Sequence, residues 1–287
     1  MTLESSLRAH VERLAGEIGE RHVGRPAALH EAARYIRGAF AAAGFDVSAQ
    51  AYETRGVRCE NLEVTLPGSG KGGIVLLGAH YDTVPGSPGA DDNASGVAGL
   101  IEISRALRAA PLQRTVKLVA FVNEENPFFR LGEMGSQVYA AAAQRRGEDI
   151  RVMFSLEMLG CYTDAPRSQT YPPMLRWIYP SRGNFIAFVS NLGSGVQLAQ
   201  ALAAFRAVSD FPAQGLAGPS FIPGLGRSDH RSFWRVGYAG VMVTDTAFHR
   251  YAHYHLPTDT PDRLCYPKMA CVVEGLAGTV AELASCR

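Results

Sequence analysis

The stretch from Val75 to Gly96, VLLGAHYDTVPGSPGADDNASG, concentrates groups that do chemistry. An apolar run delivers His80 and Asp82, a Pro/Gly/Ser loop follows, and the acidic pair Asp91–Asp92 comes next. Ionised groups beside a core are costly unless they are paired or bound to a metal. Two more apolar runs end the same way, TVKLVAFVNEE at Glu124–Glu125 and IRVMFSLE at Glu157, and a late loop carries His249, His253 and His255. Carboxylates and imidazoles suit zinc or another divalent ion. His80, Asp92, Glu125, Glu157 and one late histidine, His255, form a candidate ligand set, enough for two ions if one carboxylate bridges. Metals about 3.5–4 Å apart would clamp a shared water and a substrate oxygen.

The remaining charges read as support. Asp82 is placed to accept the second ring N–H of His80, and Asp259 that of His255, fixing each tautomer. Neighbours on extended chain point apart, so one of Glu124 and Glu125 can bind metal while the other acts as general base. Asp91 either tunes the site or caps a turn, and Asp229 reads as a helix cap. His230 reads as a supporting or substrate-contacting group, and His10, His22 and His30 as surface residues.

These groups need a frame. Amphipathic spacing of Leu7, Val11, Leu14 and Ile18 predicts a helix over residues 1–20, and Pro26 to Gly44 brackets a second. Strands are expected at DVSAQAYETRG, RCENLEVTLPG, GIVLLGAH, TVKLVAFVNEE, IRVMFSLEMLG, NFIAFVSN and YAGVMVTDT. Helices are expected after a Ser95 cap, at MGSQVYAAAAQRRG, from Gly195 to Val208, from Asp229 to Trp234 and from Lys268 to Ser285. Alternating buried strands and helices imply an α/β fold: a three-layer α/β/α sandwich on a mostly parallel, mixed sheet. The acid and imidazole groups then share the rim at the carboxyl ends of the strands. One domain over 1–287 is expected, with an aromatic-rich insertion at about 160–183 holding Tyr162, Tyr171, Trp177 and Tyr179.

Composition sets the outer limits. With 287 residues, 47% hydrophobic, 19% charged and a net charge of +1, the chain reads as ordinary globular material with no pull toward polyanions. No basic and aromatic stripe suggests nucleic acid, and no apolar run reaches membrane-spanning length. The start MTLESSLRAHVERL lacks the order of a secretory signal, so a cytoplasmic protein is expected. Cys59, Cys161, Cys265, Cys271 and Cys286 have no paired spacing and read as reduced thiols. The oligomeric state has no signature.

Taken together, HYDTVPGSPGADDNASG, FVNEENP…MGSQVYA, SLEMLG, GRSDHRSFW and YHLPTDT resemble the co-catalytic dinuclear zinc aminopeptidase family of clan MH, from about residue 25 onward. Its relatives include bacterial leucyl aminopeptidases, glutamate carboxypeptidase II and the glutaminyl cyclases. The resemblance implies two zinc ions per chain, another divalent ion being possible. His80 and Glu157 would hold one ion, Glu125 and His255 the other, and Asp92 would bridge, with the Asp92–Asn93 peptide often cis. Glu124 would be the general base that activates a bridging water, Asp82 a supporting residue and Tyr254 an oxyanion contact. The substrate would be a small peptide with a free N-terminus. The segment EENPFFRLGEMGS is longer than the family's usual turn and adds Phe128, Phe129 and Arg130, and Glu157 stands where many members have Asp. Two other functions compete: a cyclotransferase making pyroglutamate, which Trp177 and Trp234 keep in play, and a non-enzymatic binding domain of the same fold.

Overall fold

Alternation of apolar side chains along the central strands decides which face each helix covers. In β3 (Ile74–His80), Val75, Leu77 and Ala79 face one core while Leu76 faces another. In β4 (Thr115–Phe121), Val116, Leu118 and Ala120 join the first core, and Val119 and Phe121 the second. In β5 (Ile150–Glu157), Val152, Phe154 and Leu156 face the first and Met153 the second. Each Val, Leu, Met or Phe among them contributes about 1.5–3 kcal/mol by leaving water. A one-residue slip would exchange both faces, so the register is firmly set. Gly78 is needed here: a Cβ would lie 2.2 Å from the Phe121 ring.

The computed structural model describes residues 2–70, 72–172, 175–220, 222 and 224–285. Within them, β1 (Ser48–Thr54), β2 (Val57–Leu66), β6 (Ile186–Asn191), β7 (Ala213–Gly218) and β8 (Gly240–Thr244) complete an eight-stranded sheet of order β1-β2-β4-β3-β5-β8-β6-β7. β4, β3, β5 and β8 are mutually parallel, as are β6 and β7. β1–β2, β2–β4 and β6–β8 are antiparallel, giving the expected mixed sheet. One face is covered by α1 (Leu3–Val11), α2 (Pro26–Ala42), α3 (Gly96–Leu107), α6 (Gly195–Val208) and α8 (Tyr266–Ser285). α5 (Gly135–Arg145) and α7 (His230–Arg235) cover the other, and a short helix, α4 (Phe128–Leu131), follows β4. Among the described residues no helix is long and apolar enough to cross a membrane.

Several local expectations change. The first helix is regular only to Val11, continues as a widened π-type turn over Glu12–Ile18 and stops at Gly19 with φ 77°. His10 is buried, bonded to Glu102 at 2.9 Å and Tyr35 at 2.6 Å, so it ties α1 to α3 rather than facing water. Ser95 is already helical and does not cap α3; Asn93 Oδ1 accepts the Gly96 N–H instead. Strand β7, AQGLAG, was not expected, because it has no β-branched residue and two glycines; pairing with β6 makes it a strand. Among the described residues between 160 and 183 the only regular element is a short 3₁₀ turn at Leu175–Trp177; positions 173 and 174 lie outside the described residues, as does Cys286. Cys59, Cys161, Cys265 and Cys271 are free thiols.

Arg21 is wholly buried below the loop that leads to Asp91–Asp92. Its guanidinium donates to the carbonyls of Leu14, Gly19, Tyr81, Pro88 and Gly89. Burial lowers its pKa to about 10, which still leaves it charged at neutral pH. Gly89 turns there with φ 64°, and a Cβ would strike the Asp92 carbonyl at 2.3 Å. Arg21→Met strands several buried carbonyls, so urea unfolding should show a loss of about 3 kcal/mol or more. A loss under about 1 kcal/mol would remove this anchoring role.

Candidate metal centre

The carboxyl ends of β3, β4 and β5 bring the expected groups together. His80 Nε2 lies 3.2 Å from Asp92 Oδ1 and 3.6 Å from Glu157 Oε2. His255 Nε2 lies 3.0 Å from Asp92 Oδ2 and 3.2 Å from Glu125 Oε1. Each oxygen of Asp92 therefore faces a different histidine, as a bridging carboxylate must. Two donor groups, His80–Asp92–Glu157 and Asp92–Glu125–His255, each fit within 4.8 Å, and so does His80–Glu124–Glu125. His80 Nε2, Asp92 Oδ1 and His255 Nε2 are buried with no hydrogen-bond partner. Orphaned buried donors and acceptors are rare, and here they converge. An oxygen and imidazole set of this kind fits divalent ions such as zinc.

The ligand loops lie beyond the sheet's hydrogen-bond ladder, and side chains take over its role. Asp82 accepts the backbone N–H of Glu124 at 3.0 Å and of Glu125 at 3.1 Å. Its carboxylate stands 3.6 Å from His80 Nδ1, which bonds the Asp82 carbonyl at 3.2 Å. The expected Asp82–His80 link thus runs through the backbone. Asp259 does not pair with His255: it accepts the N–H of Asp91 at 2.8 Å and of Asp92 at 3.2 Å, and the Tyr251 hydroxyl at 2.8 Å. After Glu157, the N–H groups of Met158, Leu159, Gly160 and Cys161 bond in turn to Asn93, Ser95, Asp91 and Asp245. Ser228 Oγ donates to Glu157 Oε2 at 2.5 Å. Asn123, Met158 and His255 hold φ near 60°, a conformation costing a non-glycine residue about 1–2 kcal/mol. The Asp92–Asn93 peptide is cis, as is Asn126–Pro127.

Residues 61–280 match the model of peptidase family M28. The chain belongs to that family. It is 43% identical over 257 residues to the Escherichia coli (strain K12) uncharacterized protein YfbL, covering 86% of this chain and 78% of that one. Its fold is that of the Bacillus subtilis zinc aminopeptidase BSAP, with TM-score 0.78, 15% identity and coverage of 99% and 95%. It also superposes on the Bacteroides thetaiotaomicron glutaminyl cyclase bound to N-acetylhistamine, with TM-score 0.72, 17% identity and coverage of 99% and 98%. The M28 fold thus carries more than one chemistry, and the side chains must discriminate between them.

In this M28 chain, burial works to lower the pKa of His80, but Glu157, Asp82 and Asp92 override it and raise it well above the ordinary value. His255 likewise rises to about 10, its burial outweighed by Asp92 and Glu125. Burial pushes Asp92 up, yet His255 and His80 hold it below the usual carboxylate range. Burial and Asp92 raise Glu125 to about 7. Burial, with Glu125 and Glu157, raises Glu124 well above its ordinary value.

The residues sequence reasoning left open also resolve. Asp91 is fully buried against Asp245, and burial raises both carboxyls, that of Asp245 to about 6. Asp229 makes no cap bond; it is fully buried with both oxygens unpartnered, and burial raises it to about 7. His230 is kept neutral by burial, near 4, bonds the Leu225 carbonyl at 2.7 Å and packs edge-on to Trp234, away from the metal groups. Arg21, Asn93, Ser228 and Asp245 were missed, since each acts on an atom distant in sequence.

The raised imidazole values give a signed prediction. A group whose folded pKa lies above its unfolded value stabilises below the unfolded pKa and loses that effect as pH rises through the folded one. His255 therefore stabilises the metal-free protein below about pH 6.5, less so as pH climbs toward 10. Metal needs the neutral imidazole, so binding expels protons. Zinc titration at pH 7.5 in buffers of different ionisation enthalpy should show at least one proton released per chain. A heat independent of buffer would contradict the assignment.

Proposed function

We propose that this chain is a metal-dependent aminopeptidase that removes the N-terminal residue from short peptides. The observation that carries the reading is Asp92 shared between two donor groups with Glu124 beside them. His80, Asp92 and Glu157 would hold one ion, and Asp92, Glu125 and His255 the other. Two such ions would lower the pKa of a water and polarise the scissile carbonyl.

Glu124 is the general base. Asp82 fixes its backbone, and among the described residues nothing hydrogen-bonds its carboxylate. Burial favours the protonated form, so the carboxylate readily takes a proton from the attacking water and passes it to the leaving amine. Tyr254 stacks on His255 with ring centres 3.8 Å apart, and burial raises its pKa, so its hydroxyl stays a donor for the developing oxyanion.

A cavity of about 110 Å³ opens from Glu157 and Tyr254 between Phe185, Val189, Leu216 and Met242. It approaches the size of engineered apolar cavities, about 150 Å³, that take up benzene. A large apolar N-terminal side chain suits it. The 160–183 segment supplies part of the wall through Tyr171, Leu175 and Tyr179, whose hydroxyl donates to the Gly215 carbonyl at 2.8 Å. Neither tryptophan lines this cavity: Trp177 is 80% exposed and Trp234 donates to the Gly240 carbonyl. That favours hydrolysis over glutamine cyclisation, and a complete donor set disfavours a non-enzymatic domain.

Glu124→Gln should cut kcat by about 10²–10⁴-fold. Elemental analysis should still find the metal content of the unsubstituted protein. A variant keeping most of its rate would remove the general base. Leucine p-nitroanilide should exceed glycine p-nitroanilide in kcat/KM by roughly 10–100-fold, the worth of one buried apolar side chain. Equal rates would reject the pocket, and glutamine cyclisation without anilide cleavage would reject the peptidase reading.

A further inference from the structure

The cavity beside Glu157 takes much of its wall from two stretches that have left the sheet. Gln169, Tyr171, Leu175 and Tyr179 come from the 160–183 segment, and Thr246 and Phe248 from the loop after β8. That loop runs on to Tyr254 and His255, so this part of the wall is continuous with the metal centre. Among the described residues one 3₁₀ turn is all the regular structure the 160–183 segment has. Side chains must therefore hold it in place.

Arg250, in the loop after β8, supplies that hold. Its Nε donates to Gln169 Oε1 at 2.8 Å, and its Nη1 to the carbonyls of Cys161 at 3.0 Å and Phe185 at 2.9 Å. These acceptors lie at the start, in the middle and just past the end of the segment. The guanidinium carbon is 5.6 Å from the Tyr162 ring centre and 4.6 Å from that of Phe185. Gly183 leaves room for the stem, since a Cβ there would lie 2.8 Å from Arg250 Cδ. Arg250 does not itself line the cavity, but Gln169 does, and its Nε2 donates on to Thr246 Oγ1 at 2.9 Å. Thr170 adds bonds from its N–H and its hydroxyl to the His249 carbonyl, at 2.9 and 2.6 Å. A planar guanidinium presents several donors in fixed directions, so one side chain can hold separate acceptors in a fixed relation. Without it, those acceptors lose their partner, and a segment with so little ladder of its own gives way before the sheet does.

We infer that Arg250 is the positioning residue that sets which N-terminal side chain the cavity admits. By locking the 160–183 segment onto the loop after β8, it fixes the width of the cavity. The inference rests on the aminopeptidase reading for the identity of the occupant.

The test is calorimetric binding of two zinc-chelating probes, leucine hydroxamate and glycine hydroxamate, to the zinc-loaded protein. Both carry the same amine and chelating group, and only the first has a side chain to fill the cavity. Leucine hydroxamate should bind the unsubstituted protein about tenfold or more tightly. R250M keeps an apolar stem and loses the hydrogen bonds to Cys161, Gln169 and Phe185. There the ratio should fall about threefold or more, while the Kd of glycine hydroxamate moves less than about twofold. R250K keeps the charge without the fork and should give an intermediate ratio. If R250M loses its native circular dichroism, R250K decides alone, with the ratio about halved or lower. Equal binding of both probes by the unsubstituted protein, an unchanged ratio in the deciding variant, or an equal loss for both probes overturns the role. An equal loss is what a merely structural residue would give. Hydrolysis of leucine p-nitroanilide is followed on the unsubstituted protein alone. Hydrolysis with an unchanged ratio would keep the aminopeptidase reading and remove the role of Arg250. A lowered ratio without hydrolysis would keep that role and remove the reading.

Discussion

Buried carboxylates gripping backbone amides are the constraint on which the site depends. Asp82 holds both amides of Glu124–Glu125, and Asp259 both amides of Asp91–Asp92. These segments have left the sheet, so their N–H groups would otherwise be buried without acceptors. A carboxylate forms stronger bonds to N–H than a neutral acceptor does. Holding two consecutive amides also fixes the peptide plane and hence where each side chain points. Arg21 does the complementary work, gathering carbonyls from three stretches of chain.

That arrangement explains why so much charge can sit under the rim. Asp82 and Asp259 are bonded to amides and Asp91 faces Asp245, while the orphaned atoms of His80, Asp92 and His255 are left pointing at one another. In the metal-free chain the histidines answer those carboxylates by staying protonated. Cations would replace those protons. The left-handed backbone at Asn123, Met158 and His255 fits the same picture, since local strain is tolerated where surrounding bonds over-determine the chain.

Much of this was legible in the sequence because it is periodic or local. The alternation in IVLLGAH and TVKLVAF fixes the two faces, and the run-ending acids mark the rim. The donor groups follow from residue type and from the resemblance of several motifs in order. What was illegible is long-range. Nothing near Asp259 says that it reaches the amides of Asp91 and Asp92 rather than His255. His10 looks like a surface residue until α3 brings Glu102 against it. The strand AQGLAG has no intrinsic preference and exists through pairing with β6. Ser95 has the chemistry of a cap, but the turn begins earlier and Asn93 takes that place.

The central claim is that Asp92 is shared by two cations. Diffraction from zinc-soaked crystals, recorded on both sides of the zinc absorption edge, addresses it without reference to any substrate. The account predicts two anomalous peaks about 3.5–4 Å apart, one beside each oxygen of Asp92, with His80 and His255 on opposite ions. A single peak, or two peaks that do not share Asp92, would contradict it.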